Sequence, residues 1–225
     1  MITYYFSGGP NPQKVSLLLE ELGIAYRPVK IDVMQGEQHD PAFLALNPNA
    51  KLPVIVDDDG VVVFDSNAIL LHLGVKHGRF VPEPGSPLWG ETLSWLMFVA
   101  TGLGPFSGQA VHFRHASPEP VPYAATRYDY EARRHFTIVE QRLATREFMA
   151  GTDYSIVDMA LWGWAPFLPR ILGEGAQADF PNVTRLADWI GARPAAQRAL
   201  ALPGPGRGSP PPVRGNPHLF GHLRT

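Results

Sequence analysis

The stretch Asn49–Val56, "NAKLPVIV", decides the architecture. A proline heads a β-branched run, and "DDDG" (57–60) and "VVVF" (61–64) follow it. Asp-Gly is a strong hairpin signal, so the two apolar runs are read as paired strands. Upstream, "ITYYF" (2–6) is a third strand. From Pro12 the apolar residues Val15, Leu18, Leu19 and Leu22 keep the i, i+3, i+4, i+7 spacing of a helix packed on one face, and Gly23 ends it. "AYRPVKI" (25–31) is a strand whose Pro28 suits an edge position. "DPAFLALN" (40–47) is a short helix. Downstream, "SNAILLHLGVKHG" (66–78) is a helix with Asp65 or Ser66 as its N-cap. The order is β-α-β, connecting helix, β-β-α. It predicts a four-stranded mixed sheet with helices on both sides over residues 1–80.

A Pro-rich linker, "VPEPGSP" (81–87), precedes a purely helical pattern, with helices expected over about 88–113, 122–149, 155–172 and 183–201 within an all-α domain at 88–202. "SIVD" (155–158) is a capping box ahead of an apolar helix, a folding device. In "PGPGRGSPPPVRGNP" (203–217), ten of fifteen residues are Pro or Gly, which excludes a helix or a sheet interior. Two readings stand for 203–225: a disordered tail, and an extended tail packed over the protein with "HLF" (218–220) as its anchor.

The 225 residues, 45% apolar and 18% charged with net charge −2, describe a soluble globular chain without a nucleic-acid or anionic-membrane signature. No apolar run is long enough for a transmembrane helix. The start "MITYYFSGG" lacks a secretory signal, so a cytoplasmic protein is expected. Cysteine is absent, which excludes disulfides, a Cys nucleophile and thiolate metal sites. Any thiol chemistry therefore uses a thiol carried by a ligand. His112 and His115 lack a third metal ligand, Asp57–Asp59 read as a solvated turn, and no metal is expected.

Five blocks in order resemble the glutathione transferase family: "YYFSGGPNPQKVSLLLEE" (4–21), "NPNAKLPVIVD" (47–57), "FDSNAILLHL" (64–73), "GLGPFSGQAVHFRHASPEPVPYA" (102–124) and "YSIVDMALWGW" (154–164). The resemblance covers residues 1–200 and is closest to the bacterial Nu class of glutathione-dependent disulfide-bond oxidoreductases. It implies an α/β thioredoxin-like N-terminal domain plus an all-α C-terminal domain, a homodimer, and glutathione as co-substrate.

The resemblance also implies site residues. The Leu52–Pro53 bond is expected to be cis, turning the Leu52 backbone outward to pair with the cysteinyl unit as an added strand does. Lys51 is placed for the glycine carboxylate. Ser66 takes the γ-glutamyl carboxylate at a helix N-terminus, and Asp65 takes the ammonium. Gln38 contacts glutathione, and Arg134 reaches it across the dimer, with Arg133 or Arg127 as substitutes. Phe106, Gln109 and Phe113, beside His112 and His115, wall the second-substrate pocket. Each has a plain reading as well: an edge-strand proline, a simple N-cap, surface side chains.

The loop "SGGPNP" (7–12) then needs only close backbone approach at Gly9, a helix start, and Asn11 as hydrogen-bond donor to the sulfur. The Nu class commonly carries threonine where this chain has Gly9. Only an inward-turned Ser7 replaces that hydroxyl. Three functions fit: reduction of small disulfides, conjugation to electrophiles, and non-catalytic glutathione binding.

Overall fold

The computed structural model describes residues 1–202, and both readings of the 203–225 tail lie outside the described residues. The first part contains β1 (Ile2–Phe6), α1 (Pro10–Leu22), β2 (Tyr26–Lys30), α2 (Pro41–Leu44), β3 (Val54–Val56), β4 (Val62–Phe64) and α3 (Ser66–His77). The second contains α4 (Pro87–Phe98), α5 (Gly104–Val111), α6 (Pro122–Leu143), α7 (Ile156–Trp162), α8 (Leu168–Leu172), α9 (Ala176–Asp179), α10 (Pro181–Gly191) and α11 (Pro194–Ala201).

The sheet order is β2-β1-β3-β4. β1 runs parallel to β2 and antiparallel to β3, which pairs antiparallel with β4. The mixed sheet is therefore as expected, and Pro28 lies on an edge strand. Strand alternation buries Ile2, Tyr4 and Phe6 on one face. The Tyr4 hydroxyl donates to the Pro12 carbonyl (2.6 Å) and meets Ser16 Oγ (3.0 Å), fastening α1 there. Tyr5 faces the other side, where its ring meets Phe43 of α2 with centroids 6.1 Å apart. Helices thus cover both faces.

α1 is buried beyond its expected stripe. It starts at Pro10, and Lys14, Ser16 and Leu17 are enclosed as well. An apolar stripe reports one packing partner, and α1 packs against β1, α3, α7 and α11. On its far side, Arg193, just before α11, grips Glu21 with two hydrogen bonds (2.5 and 3.0 Å), and Arg198 holds Glu20 (2.6 Å).

The helical part departs from expectation, mostly where glycine or proline interrupts an apolar pattern that carries on. The helix expected over 88–113 is α4 and α5 joined by a π turn at Val99–Leu103, with another at His112–Ala116. Pro105 lacks the N–H that a regular ladder needs here. The helix expected over 122–149 stops at Leu143. That over 155–172 breaks after Trp162, at Gly163, and Pro194 splits 183–201 into α10 and α11. α9 was not anticipated.

The capping box forms as read. Ser155 Oγ accepts from the Val157 N–H (3.3 Å), and Asp158 Oδ2 accepts from the Ser155 N–H (2.8 Å). No described helix is long and apolar enough to cross a membrane.

Candidate functional site

The start of α1, the loop before β3, the start of α3 and one face of α5 enclose a cleft of about 600 Å³. Asn11, Lys51, Leu52, Pro53, Asp65 and Ser66 line it together. Gly9, Gln38 and Arg134 are not among the lining residues.

At α3, the N-cap is Asp65, held at φ 72, a conformation uncommon outside glycine. Its Oδ1 accepts from the N–H groups of Asn67 (2.9 Å) and Ala68 (3.2 Å). The first N–H groups of a helix have no acceptor inside it. Asp65 takes two of them, and the Ser66 N–H is left at the positive end of a helix of 12 residues. A carboxylate binds well at such a place.

Beside it, the Leu52–Pro53 peptide is cis, as expected. The approach to it is shaped by Asn47, a buried residue that sequence reasoning missed. Asn47 Nδ2 donates to the Lys51 carbonyl (2.7 Å), and its Oδ1 accepts from the Asn49 N–H (3.0 Å). The signal was the "NPN" string, since asparagine side chains bond backbone two residues on.

At α1, two of the first three helical residues are proline, so Asn11 carries the one backbone N–H among them. Among the described residues its side-chain amide makes no hydrogen bond. Gly9 caps the helix at φ 128, with no atom within 4 Å of where a Cβ would stand. Space for threonine exists, but the backbone conformation is one that side chains other than glycine rarely adopt. Ser7 does not turn inward: its hydroxyl points to the neighbouring Gly8 carbonyl at 3.4 Å.

One helical turn beyond Asn11 lies Lys14, also missed. It lines the cleft yet is wholly enclosed. Its Nζ donates to Ser66 Oγ (3.3 Å) and lies 5.9 Å from the centre of the Trp164 ring. Burial pushes its pKa down to about 7, and the Asp65 charge opposes that shift. Its signal in the sequence was a charge bordering the apolar stripe of α1.

The helical wall differs from the expected one. Gly104, Pro105, Gly108 and Gln109 face the cleft, a one-sided stripe of α5, with Trp164 behind them. Phe106 and Phe113 turn toward α6, where Phe113 stacks on Tyr128 (5.3 Å) and Phe106 lies 5.0 Å from the His135 ring. Of the expected trio only Gln109 lines the cleft. His115 Nε2 meets the Arg170 carbonyl (2.9 Å), and His112 lies edge-on to Phe113.

Arg134 pairs with Glu131 on its own helix (2.9 Å), as does Arg127 (2.7 Å), while Arg133 pairs with Asp179 (2.9 Å). Gln38 is buried beside His39. Asp57 bonds His72 (2.6 Å) and Lys76 (2.9 Å), tying the hairpin turn to α3.

Residues 8–75 match the family model for the glutathione S-transferase N-terminal domain, and residues 110–194 that for its C-terminal domain. The disulfide-bond oxidoreductase YfcG of Escherichia coli (strain K12) is 39% identical over 206 residues, covering 89% of this chain and 94% of YfcG. Glutathione transferase URE2P6 from Phanerochaete chrysosporium, solved in complex with oxidized glutathione, is 34% identical. It superposes with a TM-score of 0.83 over 88% of this chain and 94% of its own. A glutathione transferase homolog from Lodderomyces elongisporus, solved with two GSH per subunit, is 32% identical with a TM-score of 0.85 over 90% and 98% of the two chains.

Proposed function

Because the chain belongs to the glutathione S-transferase family, we propose that it reduces small disulfides with glutathione, using the sulfur of the bound tripeptide. The carrying observation is a cysteine-free chain whose cleft gathers Asn11, the cis Leu52–Pro53 peptide and the α3 N-terminus. In this reading the cysteinyl backbone pairs with Leu52, and the γ-glutamyl carboxylate rests on the Ser66 N–H and hydroxyl. Asp65 Oδ2 receives the ammonium, and Lys51 faces the glycine carboxylate. Gly9 gives close backbone approach. Gln38 and, across a homodimer, Arg134 complete the set on resemblance.

The sulfur lies at Asn11. A free thiol has pKa near 8.5, and lowering it by one to two units requires about 1.4–2.7 kcal/mol. A helix N-terminus contributes about 0.3–1 kcal/mol, and a hydrogen bond to a charged acceptor about 1.5–3 kcal/mol. The Asn11 amide and N–H together are sufficient. The thiolate attacks one sulfur of the substrate disulfide: a mixed disulfide forms, the old S–S bond breaks, and the departing thiolate takes a proton. A second glutathione attacks the mixed disulfide, releasing the other thiol and glutathione disulfide.

The α5 wall favours this over conjugation. Gly104, Gly108 and Gln109 leave room for a second polar tripeptide, whereas Phe106 and Phe113, the apolar wall suited to an electrophile, face away. The relatives solved with oxidized glutathione or two GSH support the same reading. A reducing cytoplasm, where glutathione is a thiol, is the compartment we propose.

The test compares glutathione-dependent turnover of a small disulfide with turnover of a chlorinated nitroaromatic. Disulfide reduction well above uncatalysed exchange is expected. High nitroaromatic turnover with no disulfide turnover overturns the reading in favour of conjugation, and glutathione binding without either activity overturns it in favour of a binding module.

A further inference from the structure

Of the buried charge-bearing groups that the reaction above does not use, among them Asp57, Glu131 and Asp158, Lys14 is the one that lines the cleft. Its stem crosses Gly163, where a Cβ would lie 2.6 Å from Lys14 Cγ, and this puts Nζ beneath the cleft. Among the described residues, Ser66 Oγ accepts a hydrogen bond from it, although an ammonium has three donors to satisfy. From α3 it faces Asp65 and Ser66, and from the turn after α7 the Trp164 ring. Lys51 lines the same cleft. From β1, Tyr4 is engaged with Pro12 and Ser16, while Glu20 and Glu21, at the other end of α1, pair with Arg198 and Arg193 of the α11 segment.

We propose that Lys14 is a proton-coupled positioning residue, taking up a proton from solvent when the γ-glutamyl carboxylate docks on Ser66. This rests on the glutathione reading. Ser66 Oγ stands between the incoming carboxylate and Nζ, so the ligand adds a negative charge one hydroxyl away from a desolvated amine. An opposite charge at that range favours the charged form. The protonated amine then orients the Ser66 hydroxyl to donate to the ligand. In the empty protein burial holds Lys14 near pKa 7. The docked carboxylate raises that value. Below about pH 7 the amine is already charged and binding takes up nothing; between there and the raised value binding takes up a proton and weakens as pH rises.

The experiment is calorimetry with S-methylglutathione, whose blocked thiol cannot titrate, in buffers of different ionisation enthalpy at pH 8. The wild type is expected to take up roughly 0.5–1 proton per ligand, with affinity falling up to about tenfold per pH unit above that point. Lys14→Met and Lys14→Arg are expected to bind with heats independent of buffer. Binding without proton uptake in the wild type overturns the proposal and leaves the glutathione reading intact. Uptake that persists in either variant assigns the proton elsewhere, to the ligand amine for one, and also overturns it. No binding at any pH overturns both. If neither variant folds, the wild-type proton count alone decides.

Discussion

Gly163→Ala probes the joint between the two domains. Gly163 has φ −55 and ψ −31, a helical conformation that alanine adopts freely, so backbone preference alone favours the substitution by up to about 1 kcal/mol. Packing opposes it. The new Cβ would stand 2.6 Å from both Lys14 Cγ and the Pro10 carbonyl oxygen. Ordinary contact begins near 3.4 Å, so each separation must lengthen by about 0.8 Å. A side chain can rotate away, but Pro10 is backbone in the first turn of α1, so the helix start itself must move. Overpacking of this kind costs about 1–3 kcal/mol. We expect a net loss of about 1–2 kcal/mol, which for a chain of this size lowers the melting temperature by roughly 2–8 °C. The shift carries Asn11 with it, and a misplacement near 1 Å can cost about a hundredfold in rate. Turnover of a small disulfide should therefore fall at least about tenfold. Gly90→Ala is the control: it lies in α4 with nothing within 4 Å of its Cβ position and should melt at or slightly above the wild type. A Gly163→Ala protein that matches wild type in both melting and turnover would refute the steric argument.

Other outcomes follow from the same geometry. In the ligand-free protein Lys14 titrates near 7, against about 10.4 in an unfolded chain. Between those values the unfolded state holds the extra proton, so stability rises with pH, by about 2 kcal/mol from pH 7 to 9. Denaturant titrations should show that rise and its absence in Lys14→Met. Above pH 10 stability should fall, because burial pushes Tyr4, Tyr26 and Tyr154 up while their unfolded counterparts ionise. Ser155→Ala removes an acceptor for the Val157 N–H and a donor to buried Asp158. It should cost about 1 kcal/mol or more in a melt and leave S-methylglutathione affinity unchanged; an unshifted melt contradicts this. Gly9→Thr meets open space but must hold φ 128, so we expect lower stability, about 1–3 kcal/mol, and no gain in turnover. A faster Gly9→Thr enzyme would show that the missing hydroxyl limits the site.

The sheet was legible because strand alternation, the Asp-Gly turn and Pro28 are local signals that tertiary context did not override. The same holds for the Asp65 N-cap, while the cis Leu52–Pro53 bond was legible only through the family resemblance. Helix lengths overran at Gly163 and Pro194 because apolar spacing continues through them, while the regular i→i−4 ladder does not: past Gly163 the Trp164 N–H turns to Leu161. The orientations of Phe106 and Phe113 were out of reach: which face of α5 and of the turn after it looks at α6 depends on partners fifteen to twenty-nine residues on. Lys14 was hidden for a similar reason. Its burial is made by Gly163 and Trp164, on a turn that only the fold brings beside α1.

In the function we propose, this chain turns a ligand's thiol into a thiolate through Asn11 and a helix start. The most direct test is a pH titration of the bound glutathione thiol by its ultraviolet thiolate absorbance, in wild type and in Asn11→Ala. The bound pKa is expected about one to two units below the free value of about 8.5, returning most of the way in Asn11→Ala. A bound thiol that titrates at the free value in the wild type, or a depressed pKa that survives the loss of Asn11, would contradict it.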